Sequence, residues 1–527
     1  MKLNSKSGVA LALAFAMSSA ALAVTPTFTA PADGASNLTD LSGATSTDGV
    51  LLAAMIGTDA TAVCDGTGGV ADVYTTETSL VPGTLVANFA VVCKPRSTIT
   101  LANTAVQAVR KYSGGSGSGI GNVASGTAVA PDIANDRQWV TITNAAGCTS
   151  SSLVPAAGGL QAYNLFLGCP NDVAQVTKGG ISDEEPALLG ASPTQVGQLT
   201  TSAGIAVDFA PVVSTPLFTA LQSAQHLTAN GIDDVADMPS LSSSQVRGIL
   251  KGSIVSNVFL FANPAGDAGA ATALPLAPSG SGSIFICRRG DSSGTETGFA
   301  IHYLHQSCGT GGVGDPNLAM VGATTATCSA GGCGWNSTTF GADRVFAGTG
   351  SADVIACMDF HSGAGQYAIG VLTTEYAPNA TTARYAHVKV DGVAPTLENM
   401  QMGAWDFFTE DAFNVPNSTS PNFVNVTADQ TAITAALLAG FRAPALLQVA
   451  LIPQGAGGTA WWGGALGIPT GAASSPVPQG YTSVHALVQA TPVNSMTHSS
   501  ALGGALNNCN PAWNGSRTLV PIDTPAL

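Results

Sequence analysis

Short apolar runs alternate along the chain with segments of helical spacing, and turns rich in Gly, Ser and Asp separate them. The clearest case is the run Ile284–Cys287, which breaks into the polar segment Gly290–Gly294. Apolar residues with helical spacing then continue from Thr295 to His305. Short β-branched and aromatic runs are typical of buried strands, and the 3.6-residue spacing is typical of helices. This segment therefore predicts a strand, a tight polar loop and the start of a helix.

The same alternation recurs over much of the chain. Strand-to-helix units are predicted at 41–55, 204–227 and 388–399, a capped helix at 241–252, and further strands at 367–372 and 446–452. Alternating strands and helices favour an α/β architecture. A chain of 527 residues is long enough for two domains or for one bilobed domain.

The loop that follows the first of these strands has the chemistry of an oxyanion site. Arg289 stands at its start, and Ser293 and Thr295 are good helix-capping types. A tetrahedral anion there would meet a guanidinium group, hydroxyl donors and the positive end of a helix dipole. The alternative is a simple capped turn. A chymotrypsin-like nucleophile loop is disfavoured, because that triad runs His, Asp, Ser and only His226 precedes this loop.

The first 23 residues have the pattern of a secretory signal peptide. Lys2 and Lys6 precede the apolar segment 8–17, and Ala21–Ala23 matches an A-x-A cleavage site. No later run reaches the roughly 18 apolar residues that a membrane-spanning helix needs. The sequence therefore predicts an exported protein, periplasmic or secreted, that does not insert into a membrane.

Charge is sparse and acidic. Charged residues make up 9% of the chain, well below the usual fraction of about a quarter, and the formal net charge is −15. Nucleic acid and anionic membranes are poor partners for such a surface. The hydrophobic content of 45% favours a packed core over disorder.

All ten cysteines lie beyond the predicted signal peptide, and an even number in an oxidising compartment favours disulfides. The expected pairs join neighbours in sequence: Cys64 with Cys93, Cys148 with Cys169, Cys287 with Cys308, and Cys328 with Cys333. His302 and His305 share a helix face without an accompanying set of acidic or cysteine ligands. We therefore expect neither a metal nor a cofactor.

Four motifs, taken in order, resemble the periplasmic phosphate-binding proteins of ABC uptake systems. They are Gly43–Ser46, Tyr112–Gly119, Ile181–Asp183 and Arg288–Thr295, and 391–399 adds a late match. The Arg-x-Asp-x-Ser-Gly-Thr element of the fourth motif is the most specific, and the order of the others adds weight. The chain departs from the family at Ser46, where an aromatic residue is usual, and at Ser292, where glycine is usual. The resemblance covers roughly residues 40 to 400.

The resemblance implies the type 2 periplasmic binding fold, in which two α/β lobes are joined by crossover strands. Lobe 1 would comprise 24–208, with an insertion near 122–178, together with 372–527. Lobe 2 would comprise 209–371, with crossovers near Val207 and Gly370. A ligand would bind in the cleft between the lobes and close it by a hinge motion.

The resemblance also implies a set of ligand-binding residues. These are Thr45, Ser46, Ser118, Asp183, Arg289, Asp291, Ser293, Gly294 and Thr295, with Ser116 as the alternative to Ser118. Asp291 would hold Arg289 in place. Asp183 would accept the proton of phosphate and thereby disfavour sulfate, which has none to share at neutral pH. The alternatives are a helix cap for Asp183 and a flexible linker for the Gly/Ser run 112–121.

Three functional hypotheses follow. The favoured one is a monomeric, non-enzymatic receptor that captures phosphate or a similar tetrahedral oxyanion for an ABC permease. The alternative is a secreted structural or adhesive surface protein that keeps the binding fold, with Trp461 and Trp462 as a surface patch if they are not core residues. A phosphate-ester hydrolase ranks last, because the sequence has no cluster of metal ligands.

Overall fold

The computed structural model describes the chain from Val24 to Cys509 with gaps. The described residues are 24–78, 88–102, 106–130, 139–143, 145–157, 159–171, 174–227, 234–260, 274–290, 293–304, 328–329, 332–333, 345–348, 350–374, 376, 378, 384–396, 399–400, 403–443, 446, 465–466, 498 and 506–509. The predicted signal peptide, Asp291, Cys308 and the Trp461–Trp462 pair lie outside these residues.

Twenty strands and eight helices lie entirely within the described residues. The strands are β1 (Leu38–Gly43), β2 (Ala71–Thr75), β3 (Phe89–Cys93), β4 (Gln107–Tyr112), β5 (Ala128–Val129), β6 (Ser150–Val154), β7 (Tyr163–Leu167), β8 (Gln175–Val176), β9 (Gly179–Ser182), β10 (Leu199–Ser214), β11 (Ser240–Leu241), β12 (Ile284–Arg289), β13 (Cys328–Ser329), β14 (Gly332–Cys333), β15 (Val345–Gly348), β16 (Tyr367–Thr373), β17 (Tyr385–His387), β18 (Lys389–Val390), β19 (Phe408–Pro416) and β20 (Ala465–Leu466). The helices are α1 (Asp48–Ile56), α2 (Gly121–Ser125), α3 (Pro193–Gly197), α4 (Thr215–Ala224), α5 (Ser243–Leu250), α6 (Gly294–Leu304), α7 (Ser351–Gly363) and α8 (Ala428–Phe441).

The predicted α/β class is confirmed, and so are its clearest units. The strand, loop and helix predicted around 284–305 are β12 and α6. The helix predicted at 241–252 is α5, whose N-terminus is a capping box of Ser242 and Gln245. The strand predicted at 446–452 is wrong at its one described position, because Leu446 is helical.

One mixed sheet is organised around the long strand β10. Its order is β15-β12-β16-β10-β19-β9-β1-β4-β3-β2-β7-β6, with β17 and β20 also paired to β10. The first part of β10 pairs with β19, up to Asp208 opposite Phe408. From Phe209 onwards it pairs with β16, and its last residues pair with β17. One strand thus joins two halves of the sheet.

Parallel pairing brings the ends of several strands to the same edge. Strand β1 runs parallel to β4 and to β9, and β12 runs parallel to β15 and β16. The loops that leave the carboxyl ends of β1, β4 and β9 are therefore neighbours. In open α/β sheets, ligands bind beside such carboxyl ends.

The strand pairing favours a later second lobe boundary than the sequence predicts. The change of partner on β10 falls at Asp208, beside the predicted first boundary. Residues 385–390, however, pair with the end of β10 and with β11, both in the segment assigned to lobe 2. The chain returns to the first half of the sheet only at β19, which starts at Phe408. The lobe division stays a prediction, with its second crossover better placed near Phe408 than at Gly370.

The segment 122–178, predicted to be an insertion, contributes to the main sheet. Strand β7 pairs parallel with β2, and β6 pairs with β7 at the edge. The Cys148–Cys169 disulfide closes one end of this antiparallel pair, where β6 begins and β7 ends. The stapled segment therefore extends the sheet.

Two predicted disulfides are confirmed and one is wrong. Cys64 pairs with Cys93, and Cys148 pairs with Cys169. Cys287 pairs with Cys357 and not with Cys308, because α7 packs across β12 and brings its cysteine to a residue 70 positions away in the chain. Cys328 and Cys333 are register partners in the β13–β14 pair, and their bond stays a prediction. Cys509 is also disulfide-bonded.

The largest apolar core lies between the sheet and helices α1, α4, α5, α6 and α8. A smaller core joins β12, β16 and α7 around the Cys287–Cys357 bond. Among the described residues, no helix combines the length and the apolar character that crossing a membrane requires.

Candidate functional site

Three backbone segments meet around Ile181, with only glycine at the points of closest approach. A Cβ atom at Gly43 or at Gly119 would overlap the carbonyl group of Ile181, and one at Gly180 would overlap the carbonyl group of Gly119. The N–H of Ala44 donates to the Ile181 carbonyl at 2.8 Å. Because backbones can approach this closely only without side chains, the loops after β1, β4 and β9 are locked together.

Asp183 lies at the centre of the site that these loops form. Its Oδ1 accepts a hydrogen bond from Ser46 Oγ at 2.6 Å, and its Oδ2 accepts one from Ser116 Oγ at 2.8 Å. The Asp183 N–H in turn donates to Ser116 Oγ at 3.3 Å. All three side chains are buried, and Ser116 is only 1% exposed. The predicted residues Ser46 and Asp183 are therefore in direct contact.

Helix α6, from the other half of the sheet, begins at this cluster. The Gly294 N–H donates to Ser116 Oγ at 3.2 Å. A Cβ atom at Gly294 would lie 2.5 Å from Asp183 Oδ2 and 2.7 Å from Ser116 Oγ. Only glycine therefore permits this approach, which places the positive end of the α6 dipole against a carboxylate and two hydroxyl groups.

Ser116, and not the favoured Ser118, is the serine that contacts Asp183. Ser118 Oγ donates to the Gly115 carbonyl at 2.8 Å, within its own turn. Its carbonyl accepts from Ser42 Oγ at 2.7 Å, so its backbone supports the loop. Ser116–Gly119 is a 3-10 turn, in which residues two apart point in different directions.

Arg289 is buried and held at the start of α7. Its Nη1 donates to Ser351 Oγ at 2.9 Å, and its backbone N–H donates to Glu296 Oε2 at 3.3 Å. The neighbouring Arg288 forms an ion pair with Glu296, with Nε 3.2 Å from Oε1. Sequence reasoning missed Ser351 and Glu296 as partners of this arginine pair. The predicted role of Asp291 stays a prediction.

The remaining predicted residues lie at helix starts. Thr45 is partly buried in the turn before α1, where its carbonyl accepts the Asp48 N–H at 3.1 Å. Ser293 precedes α6, and its Oγ accepts the Glu296 N–H at 3.4 Å. Thr295 is buried in the first turn of α6. These positions neighbour backbone N–H groups that have no acceptor within their own helix.

A buried ion pair, unforeseen from the sequence, supports the loop after β1. Lys111 Nζ at the end of β4 lies 3.0 Å from Asp48 Oδ1 and 2.8 Å from the Ala44 carbonyl oxygen. Asp48 Oδ2 also accepts from Ser113 Oγ at 2.8 Å. Burial raises the pKa of Asp48 above its ordinary value, and the Lys111 charge opposes that rise. The sequence signal that could have indicated this pair is the two adjacent charges, Arg110 and Lys111, in the strand Gln107–Tyr112.

Glu184, next to Asp183, is fully buried. A Cβ atom at Gly298, in the second turn of α6, would lie 2.6 Å from Glu184 Oε1. Burial raises the pKa of Glu184 well above its ordinary value, and the neighbouring Glu185 and Asp183 add to the effect. The sequence signal that could have indicated this buried carboxyl group is the run of three acidic residues, 183–185, in a chain poor in charge.

Among the described residues, one group has the arrangement of possible metal ligands: Cys287, Cys357 and His361. The two cysteine sulfurs are bonded to each other, so neither offers the thiolate that a metal requires. His361 Nδ1 lies 2.8 Å from Gln366 Oε1, and its ring stacks on Phe285. This group has a structural role in the smaller core.

No protein-family model matches the chain, and no curated protein matches it. Solved structures do match. One is a substrate-binding protein assigned to a phosphate ABC transporter of Clostridium perfringens, with bound phosphate, at 12% identity and a TM-score of 0.38, covering 81% of this chain and 99% of that one. A second is an ABC-type phosphate transport receptor from Vibrio cholerae, at 12% identity and a TM-score of 0.27, covering 50% of this chain and 74% of that one.

A third is a phosphate-binding protein from Stenotrophomonas maltophilia, at 13% identity and a TM-score of 0.24, covering 46% of this chain and 64% of that one. These TM-scores are all below 0.5. The function proposed below is therefore based on the geometry of this chain's own residues.

Proposed function

We propose that this protein is an exported receptor that binds phosphate, or a similar tetrahedral oxyanion, between the two halves of its sheet. The observation that carries the proposal is the meeting of Ser46, Ser116 and Asp183 with the first residue of α6. Hydroxyl donors and a helix N-terminus in a buried setting are what an oxyanion needs. Arg289, buried just before α6, would supply the matching charge.

Asp183 would make the site select a protonated anion. Ser46 and Ser116 each have one hydroxyl hydrogen, which they now donate to Asp183. When the anion binds, both hydroxyls would turn towards it, and Asp183 would accept the proton that the ligand carries. Phosphate has such a proton at neutral pH and sulfate does not, so sulfate would face an unpaired carboxylate.

The proposed receptor works outside the cytoplasm, where it would deliver the anion to an ABC permease. Disulfides such as Cys64–Cys93 are typical of oxidising compartments, in agreement with the predicted signal peptide. Site residues on both sides of β10 fit capture by closure of two lobes. The α6 contact to Ser116 would then form as the lobes close.

The test is calorimetric titration of phosphate into ligand-free mature protein, with sulfate as the second ligand. Wild type should bind phosphate and not sulfate, and Arg289→Ala should lose phosphate binding. Asp183→Asn should reduce the preference for phosphate over sulfate, because an amide can donate a hydrogen bond to an unprotonated anion. The absence of heat and of a thermal shift with both anions would contradict the proposal.

A further inference from the structure

We propose that Lys111 and Asp48 are positioning residues, which hold the loop after β1 in the conformation that receives the anion. The inference rests on the proposed function. Lys111 is fully buried at the end of β4, and Asp48 is the first residue of α1. The hydrogen bonds of Asp183 go to Ser46 and Ser116 and not to this pair, so both residues would act on the anion through the loop 43–47.

The Lys111 ammonium group lies near three oxygens, two of them in this loop and one on Asp48. Nζ lies 2.8 Å from the Ala44 oxygen, 3.4 Å from the Gly43 oxygen and 3.0 Å from Asp48 Oδ1. A peptide group is planar, with its C=O and N–H pointing in opposite directions. With the Ala44 carbonyl turned towards Lys111, the N–H of Thr45 must point away from it. Lys111 therefore fixes the direction of a donor that the proposed site uses.

The pair also controls charge beside the site. Asp48 lies at the N-terminus of α1, the end of the helix that would face an anion. A lone buried carboxylate there would repel the ligand, whereas the Lys111 ammonium balances its charge. Ser113 holds the second oxygen of Asp48, and its own N–H donates to Asn88 Oδ1 at 3.0 Å. The carboxylate is thereby fixed from two directions.

The chain offers a matched control at the preceding residue. Arg110 is as fully buried as Lys111 and also forms ion pairs, with Nε 2.7 Å from Asp40 Oδ1 and Nη1 3.2 Å from Asp33 Oδ1. Successive residues of a strand point to opposite faces, so Arg110 lies on the face away from the loop. Replacing Arg110 therefore removes a buried charge pair without freeing the loop 43–47.

The experiment compares Lys111→Met, Arg110→Met and the double variant Lys111→Met/Asp48→Asn by phosphate titration and by thermal unfolding without ligand. Lys111→Met should raise the phosphate Kd by about ten-fold or more, because it frees the loop and leaves the Asp48 charge unbalanced. The double variant should recover part of that loss. Arg110→Met should change the phosphate Kd by less than about two-fold, even if it lowers the unfolding temperature as much as Lys111→Met does.

A purely structural role would make the loss of affinity follow the loss of stability in all variants, and that result would overturn the inference. An unchanged Kd in Lys111→Met would also overturn it, while wild-type binding would leave the proposed function intact. Absence of binding by wild type would overturn both. If Lys111→Met does not fold, Ser113→Ala removes one bond to Asp48 and should raise the Kd by about two-fold or more; an unchanged Kd would count against the inference.

Discussion

Replacing Gly294 by alanine should weaken phosphate binding while leaving the unliganded protein folded. Gly294 starts α6, where an added Cβ would lie 2.5 Å from Asp183 Oδ2 and 2.7 Å from Ser116 Oγ. Both distances are too short for real atoms, so α6 must move away from the cluster. If the two lobes separate in the unliganded state, this clash arises only on closure.

The expected magnitude follows from overpacking. Forcing one extra methyl group into a well-packed site costs about 1–3 kcal/mol. If this cost falls on the closed, ligand-bound state alone, the phosphate Kd should rise by about 5- to 150-fold. The unfolding temperature without phosphate should stay close to that of wild type.

Gly197→Ala is the matched control. Gly197 ends the short helix α3, and a Cβ there would meet no atom within 4 Å. Titration calorimetry of wild type and both variants gives the Kd, and thermal unfolding without ligand gives the stability. Wild-type affinity in Gly294→Ala would refute the close approach of α6 to Asp183. An equal loss in Gly197→Ala would show that the effect is not local.

Three further variants test individual side chains at or beside the site. Ser116→Ala should raise the phosphate Kd by about ten-fold, because it removes a hydroxyl shared by both halves of the site, and Ser118→Ala should leave the Kd nearly unchanged. Equal effects of the two in titration calorimetry would contradict the assignment of Ser116. Because the folded-state pKa of Glu184 is raised, its proton favours folding below the ordinary pKa of 4.5, and this stability is lost as the pH rises towards the folded-state value. Glu184→Gln should therefore become more stable relative to wild type with rising pH in urea unfolding, and a constant difference would contradict the burial of the carboxyl group.

Local patterns carried much of the fold prediction, where neighbouring residues decide the structure. The order of apolar and polar residues was enough for β12, its loop and α6, and the capping residues Ser242 and Gln245 marked α5. The meeting of Ser46 with Asp183 followed from the order of motifs that resemble one family. No local pattern brings those two residues together, because they are 137 positions apart.

The features that the sequence did not foresee arise where distant segments decide the outcome. Ser116 and Ser118 are equivalent in sequence, and the packing of Gly119 against Ile181 sets which of them turns inward. The Cys287–Cys357 bond depends on α7 packing across β12. The burial of Glu184 depends on its contact with α6, more than a hundred residues further along the chain.

The single strand β10 has a mechanical consequence for the molecule. Sixteen residues of extended chain span about 50 Å, with the change of pairing partner near the middle. Around that point, Thr374 donates to the Asp208 backbone and side chain, and Trp405 Nε1 donates to the Phe209 carbonyl at 3.2 Å. A bend of about 10° at this point would carry either end of β10 through about 4 Å. A displacement of that size is comparable to the width of a phosphate ion.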